Sequence, residues 1–165
     1  MKRPTVGIAT DGAHSTKERL TRYRAVDLSS GLELFNHSIG NKTNNIGEFL
    51  AIVEAVKYIL RHPEAPRIIY SDSITAITWY RNKQTASSRR CEQLQLAEIF
   101  LKVMAAKIDD IQVLHWDNRE WGERLLQTLE IVNLIHKIIT RITHLGKSLI
   151  IIIFTTEMYK LEVLI

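Results

Sequence analysis

The spacing of apolar residues predicts a meander of three strands followed by a helix in the first part of the chain. Apolar runs over residues 5–10, 20–28 and 32–39 are typical of strands, and the Ser-Ser-Gly turn cluster at 29–31 indicates that the last two are antiparallel. From residue 45 to residue 61 the apolar residues recur at helical spacing, which gathers them on one stripe. This stripe consists of Phe49, Ile52, Val53, Val56, Ile59 and Leu60.

Helices and strands alternate in the part that follows. A strand is predicted over 67–71, a short helix capped by Ser73 up to about Tyr80, a longer helix over 91–107 and a fifth strand over 111–116. The order βββ-α-β-α-α-β predicts an α/β fold with a mixed five-stranded sheet and helices on its faces. The apolar side of the longer helix is assigned to Leu94, Leu96, Ala97, Phe100, Leu101 and Met104.

Composition and charge fit a single globular domain with an anionic partner. The chain has 165 residues, 45% of them hydrophobic, with a net charge of +4, and this balance favours an anionic partner without choosing one. Cys91 is the only cysteine, so an intrachain disulfide is excluded and a cytoplasmic location is expected. The apolar run Leu149–Phe154 is shorter than the roughly 20 residues that a membrane helix needs. No apolar signal region follows the first four residues, and no obligate protein partner is evident.

Three acidic residues stand where strand ends and a helix start would bring them together. Asp11 follows one apolar run, Asp72 follows another, and Glu48 lies in the first turn of the helix predicted over 45–61. Carboxylates gathered at one point repel each other and need a cation between them, and hard oxygen ligands suit Mg²⁺ or Mn²⁺.

Each of these residues also has a simpler interpretation. Asp11 before Gly12 is typical of a turn, and Asp72 is typical of the capping region of the next helix. A glutamate in the first helical turn is favoured by the helix dipole, which explains the position of Glu48 along the helix. It does not explain the face, because Glu48 shares its face with Ile52 and Ile59 and is therefore predicted to point toward the sheet.

Three short motifs resemble those of a known enzyme family. TDGA at 10–13, TNNIGEFLAIVEAV at 43–56 and YSDSITAI at 70–77 are similar in content, order and spacing to the core motifs of type 1 ribonuclease H. The tract WDNREWGE at 116–123 is similar to the segment after the fifth strand in some bacterial members. The resemblance covers roughly residues 4–123 and implies the ribonuclease H fold.

The resemblance also implies an activity and a metal site. Members of this family hydrolyse the RNA strand of RNA–DNA hybrids and leave 5′-phosphate and 3′-hydroxyl ends. Asp11, Glu48 and Asp72 match three of the family's metal-binding carboxylates, which hold two Mg²⁺ ions, with Mn²⁺ as a substitute. In such sites one ion activates the attacking water and the other stabilises the leaving oxygen, so no nucleophilic side chain is needed.

Residues expected to contact the hybrid fall in two regions. Gly12, Ala13, Asn44 and Asn45 match positions near which the family contacts 2′-hydroxyl groups; the simpler interpretation of the asparagine pair is a helix N-cap. The stretch 79–90 resembles the family's basic region that grips the DNA strand, although a solvated flexible loop is the alternative. Its candidate binding residues are Trp79, Arg81, Lys83, Arg89 and Arg90.

The resemblance fails after residue 123. The family's fourth aspartate is missing, and no aspartate follows Asp117; neither Asp117 nor Glu123 stands at the motif position. One set of codons for 124–133, read in another frame, encodes Pro-Ala-Ala-Asp-Phe-Gly-Asn-Arg-Lys, which contains the missing motif. We therefore expect a ribonuclease H-like domain over 1–123 and an atypical segment over 124–165 that is a frameshift product, a divergent C-terminal helix being the alternative.

Three functions remain in competition at this point. The first is a metal-dependent endonuclease acting on the RNA strand of RNA–DNA hybrids. The second is a catalytically impaired module that binds the hybrid but lacks the fourth carboxylate. The third is another nuclease of this fold, such as an integrase or transposase, against which the asparagine pair Asn44-Asn45 and the small size of the chain argue.

Overall fold

The computed structural model describes residues 2–121, which form the predicted meander and the helix–strand alternation after it. The elements are β1 (Ile8–Ser15), β2 (Leu20–Asp27), β3 (Glu33–Ser38), α1 (Asn44–Arg61), β4 (Ile68–Ser71), α2 (Ile74–Asn82), α3 (Glu92–Val103), a 3-10 turn (Ala105–Lys107), β5 (Gln112–His115) and α4 (Asn118–Trp121). The expectation for residues 124–165 lies outside the described residues.

The five strands form one mixed sheet in the order β3-β2-β1-β4-β5. β2 pairs antiparallel with β1 and β3, whereas β4 pairs parallel with β1 and β5. The predicted fold class, a mixed sheet with three antiparallel strands followed by parallel ones, is therefore confirmed. Ile8 pairs with Ile69 and Ala9 with Tyr70, and the same register continued by two residues brings Asp11 beside Asp72.

α1 lies directly on the sheet because two glycines allow a close approach. A Cβ atom at Gly12 would stand 2.5 Å from the backbone nitrogen of Glu48, and one at Gly47 would stand 2.9 Å from Cγ2 of Thr21. Real Cβ atoms essentially never come within 3.0 Å of another heavy atom, and at Gly12 the neighbour is backbone, so a larger residue there would force the helix away from β1. This contact places Glu48 over the middle of β1.

The core lies between α1 and the sheet, as the apolar stripe predicts. Phe49, Ile52, Val53, Val56 and Ile59 are all buried, whereas Leu60 is only partly buried. α1 packs against β1 and β2 on one side and against α2 and α3 on the other, so residues 46–53 are all buried.

The first strand differs from its prediction at both ends. It begins at Ile8 rather than residue 5, and Val6 is 55% exposed. It also continues past Asp11 to Ser15, because Asp11 pairs with Arg24 and Gly12 with Tyr23 across the β1–β2 ladder. The ladder satisfies more backbone groups than a turn would, so the turn interpretation of Asp11 is wrong.

The helix ends also refine the sequence interpretation. Thr43 is the N-cap of α1, its hydroxyl accepting a hydrogen bond from the Ile46 N–H at 3.4 Å, so the capping interpretation of the asparagine pair is wrong. Ser73 caps α2 as predicted. α3 ends at Val103, and Leu96 is 58% exposed because it lies about 200° around the helix from buried Leu94. In the part of the chain described, no helix has the length and apolar character needed to cross a membrane.

Candidate active site

Glu48 is the most unusual carboxyl group of the site. It is only 3% exposed, and its Oε2 atom is buried without a hydrogen-bond partner. Burial, and then the nearby charges of Asp72 and Asp11, raise the pKa of Glu48 to about 9, while the backbone N–H of Gly12 opposes the shift. The sequence prediction that Glu48 points toward the sheet agrees with this burial.

Asp11 lies near Glu48, and a neighbouring arginine offsets part of the negative charge of Asp11. Burial raises the pKa of Asp11; the Arg24 guanidinium opposes the shift and Asp72 adds to it. The Arg24 Nε atom lies 3.6 Å from Asp11 Oδ2. Arg24 was not predicted as a site residue, because only the antiparallel register of β1 and β2 places it opposite Asp11.

Asp72 lies immediately after β4 and does not cap the next helix. Ser73 has that role, since its hydroxyl accepts from the Ala76 N–H at 3.2 Å. The Oδ2 atom of Asp72 instead accepts a hydrogen bond from Asn118 Nδ2 at 3.2 Å. Asn118 lies in the tract 116–123 that resembles the family, but it was not predicted as a site residue, because no local pattern signals a contact with a residue 46 positions earlier.

The donor atoms suit a hard divalent cation, although they are not drawn into a closed cluster. Within residues 2–121, no three His, Cys, Asp or Glu side chains stand together closely enough to hold one metal ion. The three carboxylates are nevertheless near enough for Asp11 and Asp72 to raise the pKa of Glu48. An unpartnered, buried carboxylate oxygen beside two further acidic groups is an arrangement that a Mg²⁺ ion would relieve.

The residues predicted to contact 2′-hydroxyl groups lie near the start of α1. Gly12 is buried against the helix, whereas Ala13, Asn44 and Asn45 are exposed. The loop before α1 is tied to β2 through Thr21, whose hydroxyl donates to the Lys42 carbonyl at 2.8 Å and accepts from the Lys42 N–H at 3.0 Å. The asparagine pair therefore begins α1 directly after a loop that is tied to β2.

The five predicted binding residues of the basic stretch have different surroundings. Trp79 is only 8% exposed and packs edge-on against Phe49, so it offers little surface to a ligand. Arg81 is exposed, with one Nη atom 3.4 Å from the Val113 carbonyl. Arg90 is bound to Glu98 through two hydrogen bonds of 2.8 and 2.9 Å.

The two remaining cations, Lys83 and Arg89, are the ones most available to a ligand. Within residues 2–121 their charged groups have no ion-pair or hydrogen-bond partner. Arg89 is exposed, and Lys83, in the left-handed conformation that ends α2, is partly exposed. The stretch predicted as one basic surface therefore contains a buried aromatic residue, an internally paired arginine and two cations that have no partner among residues 2–121.

Comparison with known proteins identifies the fold. No protein-family model matches the chain. The structure is similar to LC11-RNase H1, which was isolated from compost by a metagenomic approach, with 15% identity, 70% of this chain and 86% of that chain covered, and a TM-score of 0.50. It is also similar to LC11-RNase H1 in complex with an RNA/DNA hybrid (16% identity, 68% and 86% covered, TM-score 0.48). RNase H1 from the halophilic archaeon Halobacterium salinarum matches with 19% identity, 70% and 87% covered, and a TM-score of 0.43. The strand order and the first of these matches show a ribonuclease H-like α/β fold.

Proposed function

We propose that this protein is a metal-dependent endonuclease that hydrolyses the RNA strand of RNA–DNA hybrids. The observation that carries the proposal is the buried Glu48 carboxyl, which has an unpartnered oxygen and is flanked by Asp11 and Asp72. It lies where a helix start meets two parallel strands of a ribonuclease H-like sheet. A buried carboxyl group with a strongly raised pKa beside two further acids is typical of functional sites.

Asp11, Glu48 and Asp72 would hold the metal. Two Mg²⁺ ions are proposed, with Mn²⁺ as a substitute, and bound cations of this kind supply an activated water and stabilise the charge on the leaving oxygen. The chain's own task is to keep three carboxylates close together although they repel each other. The rigid contact between Gly12 and the start of α1 does this for Glu48, and Arg24 offsets part of the charge of Asp11.

The remaining surface would recognise the hybrid. The backbone at Gly12 and Ala13 and the amides of Asn44 and Asn45 are proposed to contact the 2′-hydroxyl groups that distinguish RNA from DNA. The basic stretch supplies phosphate contacts, which add affinity without sequence specificity. We assign these contacts chiefly to Lys83 and Arg89, with Arg81 at the margin. A cytoplasmic location remains part of the proposal.

Hybrid binding without cleavage is the second candidate. It is favoured by one observation: no aspartate follows Asp117, so the family's fourth metal-binding carboxylate has no counterpart at its motif position. A site that cannot gather its ligands around an ion would keep its surface for the hybrid and lose the chemistry.

Cleavage of a labelled hybrid by the full-length chain separates the two candidates. An RNA–DNA hybrid with a fluorescent RNA strand is incubated with the protein in Mg²⁺, in Mn²⁺ and in EDTA, beside matched duplex DNA and single-stranded RNA. Metal-dependent cutting of the RNA strand of the hybrid alone is expected, with no cutting by Asp72→Asn. Retention of the hybrid without cutting in either metal would favour the binding module. A protein that neither binds nor cuts the hybrid would contradict both candidates.

A further inference from the structure

Asn118 contacts the carboxylate site from a direction that the motifs do not cover. Its Nδ2 atom donates a hydrogen bond to Asp72 Oδ2 at 3.2 Å, and its Oδ1 atom is buried without a hydrogen-bond partner. We propose that Asn118 positions the Asp72 carboxylate through its amide nitrogen and supplies its amide oxygen as a neutral ligand to the cation that Asp72 binds. This inference rests on the proposed function.

The register of the parallel strands brings Asn118 to this place. Ser71 pairs with His115, and the Trp116 N–H donates to the Ser71 carbonyl at 2.9 Å, so the chain after β5 runs past the end of β4. It then turns into α4 directly beside Asp72. The position of Asn118 therefore follows from the sheet itself and not from a free loop.

The neighbouring acid, Asp117, is already used by the local turn. Its Oδ1 atom accepts hydrogen bonds from the N–H groups of Arg119 at 2.8 Å and Glu120 at 3.3 Å. This is the N-capping arrangement that starts a helix. Asp117 thus stabilises α4, and the side chain that reaches Asp72 is the amide of Asn118.

An aromatic cluster stabilises the turn that carries Asn118. Trp116 is fully buried, with its ring edge-to-face against Tyr70 at 6.0 Å and Trp121 at 5.1 Å, and Trp121 also meets Tyr70 at 6.4 Å. Edge-to-face pairs of this kind favour one arrangement of the rings. Because Trp116 precedes α4 and Trp121 lies in it, the described part of α4 is packed onto β4.

The unpaired Oδ1 atom of Asn118 is an acceptor, so we expect it to bind a hydrogen-bond donor or a cation. A buried acceptor left without a partner costs about 1–3 kcal/mol, so its native environment should supply one. Rotating the amide would turn Oδ1 toward the Asp72 carboxylate, which is repulsive while Asp72 is ionised. Because the amide orientation is fixed in this way, the neutral Oδ1 atom of Asn118 is left to coordinate a divalent cation bound to Asp72. A neutral ligand adds no further repulsion to a site that already gathers three acids.

Metal affinity measured without substrate tests this role directly. Mn²⁺ binding is followed by the loss of the free-ion EPR signal, for the full-length wild type, Asn118→Ala, Asn118→Asp and Asn36→Ala. Asn36 is an exposed asparagine on β3 and serves as the matched control. Asn118→Ala should bind Mn²⁺ about 10- to 100-fold more weakly, which is typical for loss of a residue that orients a metal ligand. The control should bind like the wild type.

The aspartate variant separates the two parts of the proposal. The carboxylate introduced by Asn118→Asp keeps an oxygen ligand but cannot donate to Asp72, so the Mn²⁺ affinity of this variant should fall less than that of Asn118→Ala. If Asn118→Asp loses affinity as Asn118→Ala does, the ligand role is wrong. In hybrid cleavage, Asn118→Ala should lower kcat about 10-fold or more with little change in KM, and hybrid affinity in EDTA should not change.

The failure of this inference is distinguishable from the failure of the proposed function. A wild type that binds Mn²⁺ and cleaves the hybrid, together with an Asn118→Ala variant that does both equally well, would overturn only the role of Asn118. A wild type that neither binds Mn²⁺ nor cleaves the hybrid would overturn both.

Discussion

Two buried helical glutamates, Glu48 on α1 and Glu98 on α3, have opposite environments. They are 3% and 7% exposed. Glu98 Oε1 accepts hydrogen bonds from the N–H and hydroxyl of Thr85 at 2.8 and 2.6 Å, and Arg90 binds both of its carboxylate oxygens. Hydrogen bonds from Arg90 and Thr85 lower the pKa of Glu98 to about 2, whereas burial and two acidic neighbours raise the pKa of Glu48 to about 9.

The difference shows that burial alone does not tell a structural acid from a functional one. Glu98 is compensated at every oxygen, so its charge holds the segment around Thr85 and Arg90 to α3. Glu48 has an unpartnered oxygen and like charges nearby, which destabilises the ionised group and leaves it available to a cation. Glu48 and Glu98 therefore differ in whether neighbouring groups neutralise the carboxylate, and not in how deeply the side chain is buried.

The largest expected effect is loss of cleavage when the uncompensated site is changed. Asp72→Asn should lower kcat at least about 100-fold, because each metal contact of this kind contributes several kcal/mol to the transition state. Glu48→Gln and Asp11→Asn should behave in the same way. The measurement is single-turnover cleavage of the labelled hybrid, with circular dichroism to show that the fold is retained. A wild-type cleavage rate in Asp72→Asn would contradict the proposal that these carboxylates hold two metal ions.

Changing the compensated glutamate should affect stability instead. Glu98→Ala leaves Arg90 and the Thr85 N–H without their partner and should lower the free energy of unfolding by about 2–4 kcal/mol. Glu48→Gln removes the cost of keeping a buried carboxyl protonated above its ordinary pKa and should leave the metal-free stability unchanged or increased. Urea unfolding of both variants in EDTA tests this contrast. Equal losses in the two variants would mean that the two glutamates do not differ as their surroundings indicate.

The pH dependence of stability should have opposite signs for the two groups. The pKa of Glu48 rises from 4.5 to about 9 on folding, so the fold loses stability progressively as the pH rises between these values, because the carboxyl ionises in the unfolded chain before it does in the fold. The pKa of Glu98 falls from 4.5 to about 2, so the stability it contributes is present above 4.5 and is lost as the pH falls through about 2. Each group changes the free energy by at most about 1.4 kcal/mol per pH unit.

Urea unfolding in metal-free buffer at a series of pH values checks these signs. Relative to the wild type, Glu48→Gln should flatten the loss of stability on the alkaline side, and Glu98→Gln should flatten the loss on the acid side. Mg²⁺ should stabilise the wild type more as the pH rises, because the metal binds the deprotonated carboxylate. A Glu48→Gln profile parallel to that of the wild type would contradict the raised pKa.

The sequence predicted the elements of the fold better than the contacts between them. The spacing of apolar residues predicts whether a segment is a helix or a strand, and it predicts the helix face on which Glu48 lies. Both properties depend only on residues that are close in sequence. The roles of Arg24, Asn118 and Glu98 depend on strand register and on contacts between distant segments, which no local pattern encodes. The same limit explains why Arg90 was grouped with the binding residues although it is bound to Glu98.

The smallest expected effect concerns the basic stretch, and it separates free cations from the paired one. Lys83→Ala and Arg89→Ala should each weaken hybrid binding and reduce the slope of log affinity against log salt by about 0.7–0.9 if each contacts one phosphate. Arg90→Ala should lower stability, as Glu98→Ala does, because its guanidinium is engaged by the Glu98 carboxylate. Binding is measured by fluorescence anisotropy in EDTA over a series of salt concentrations, so that cleavage does not interfere.

If Arg90→Ala alone reduced the slope while Lys83→Ala and Arg89→Ala left it unchanged, the ion pair between Arg90 and Glu98 would have to open when the hybrid binds. The contrast between the compensated and uncompensated regions would then apply only to the free protein.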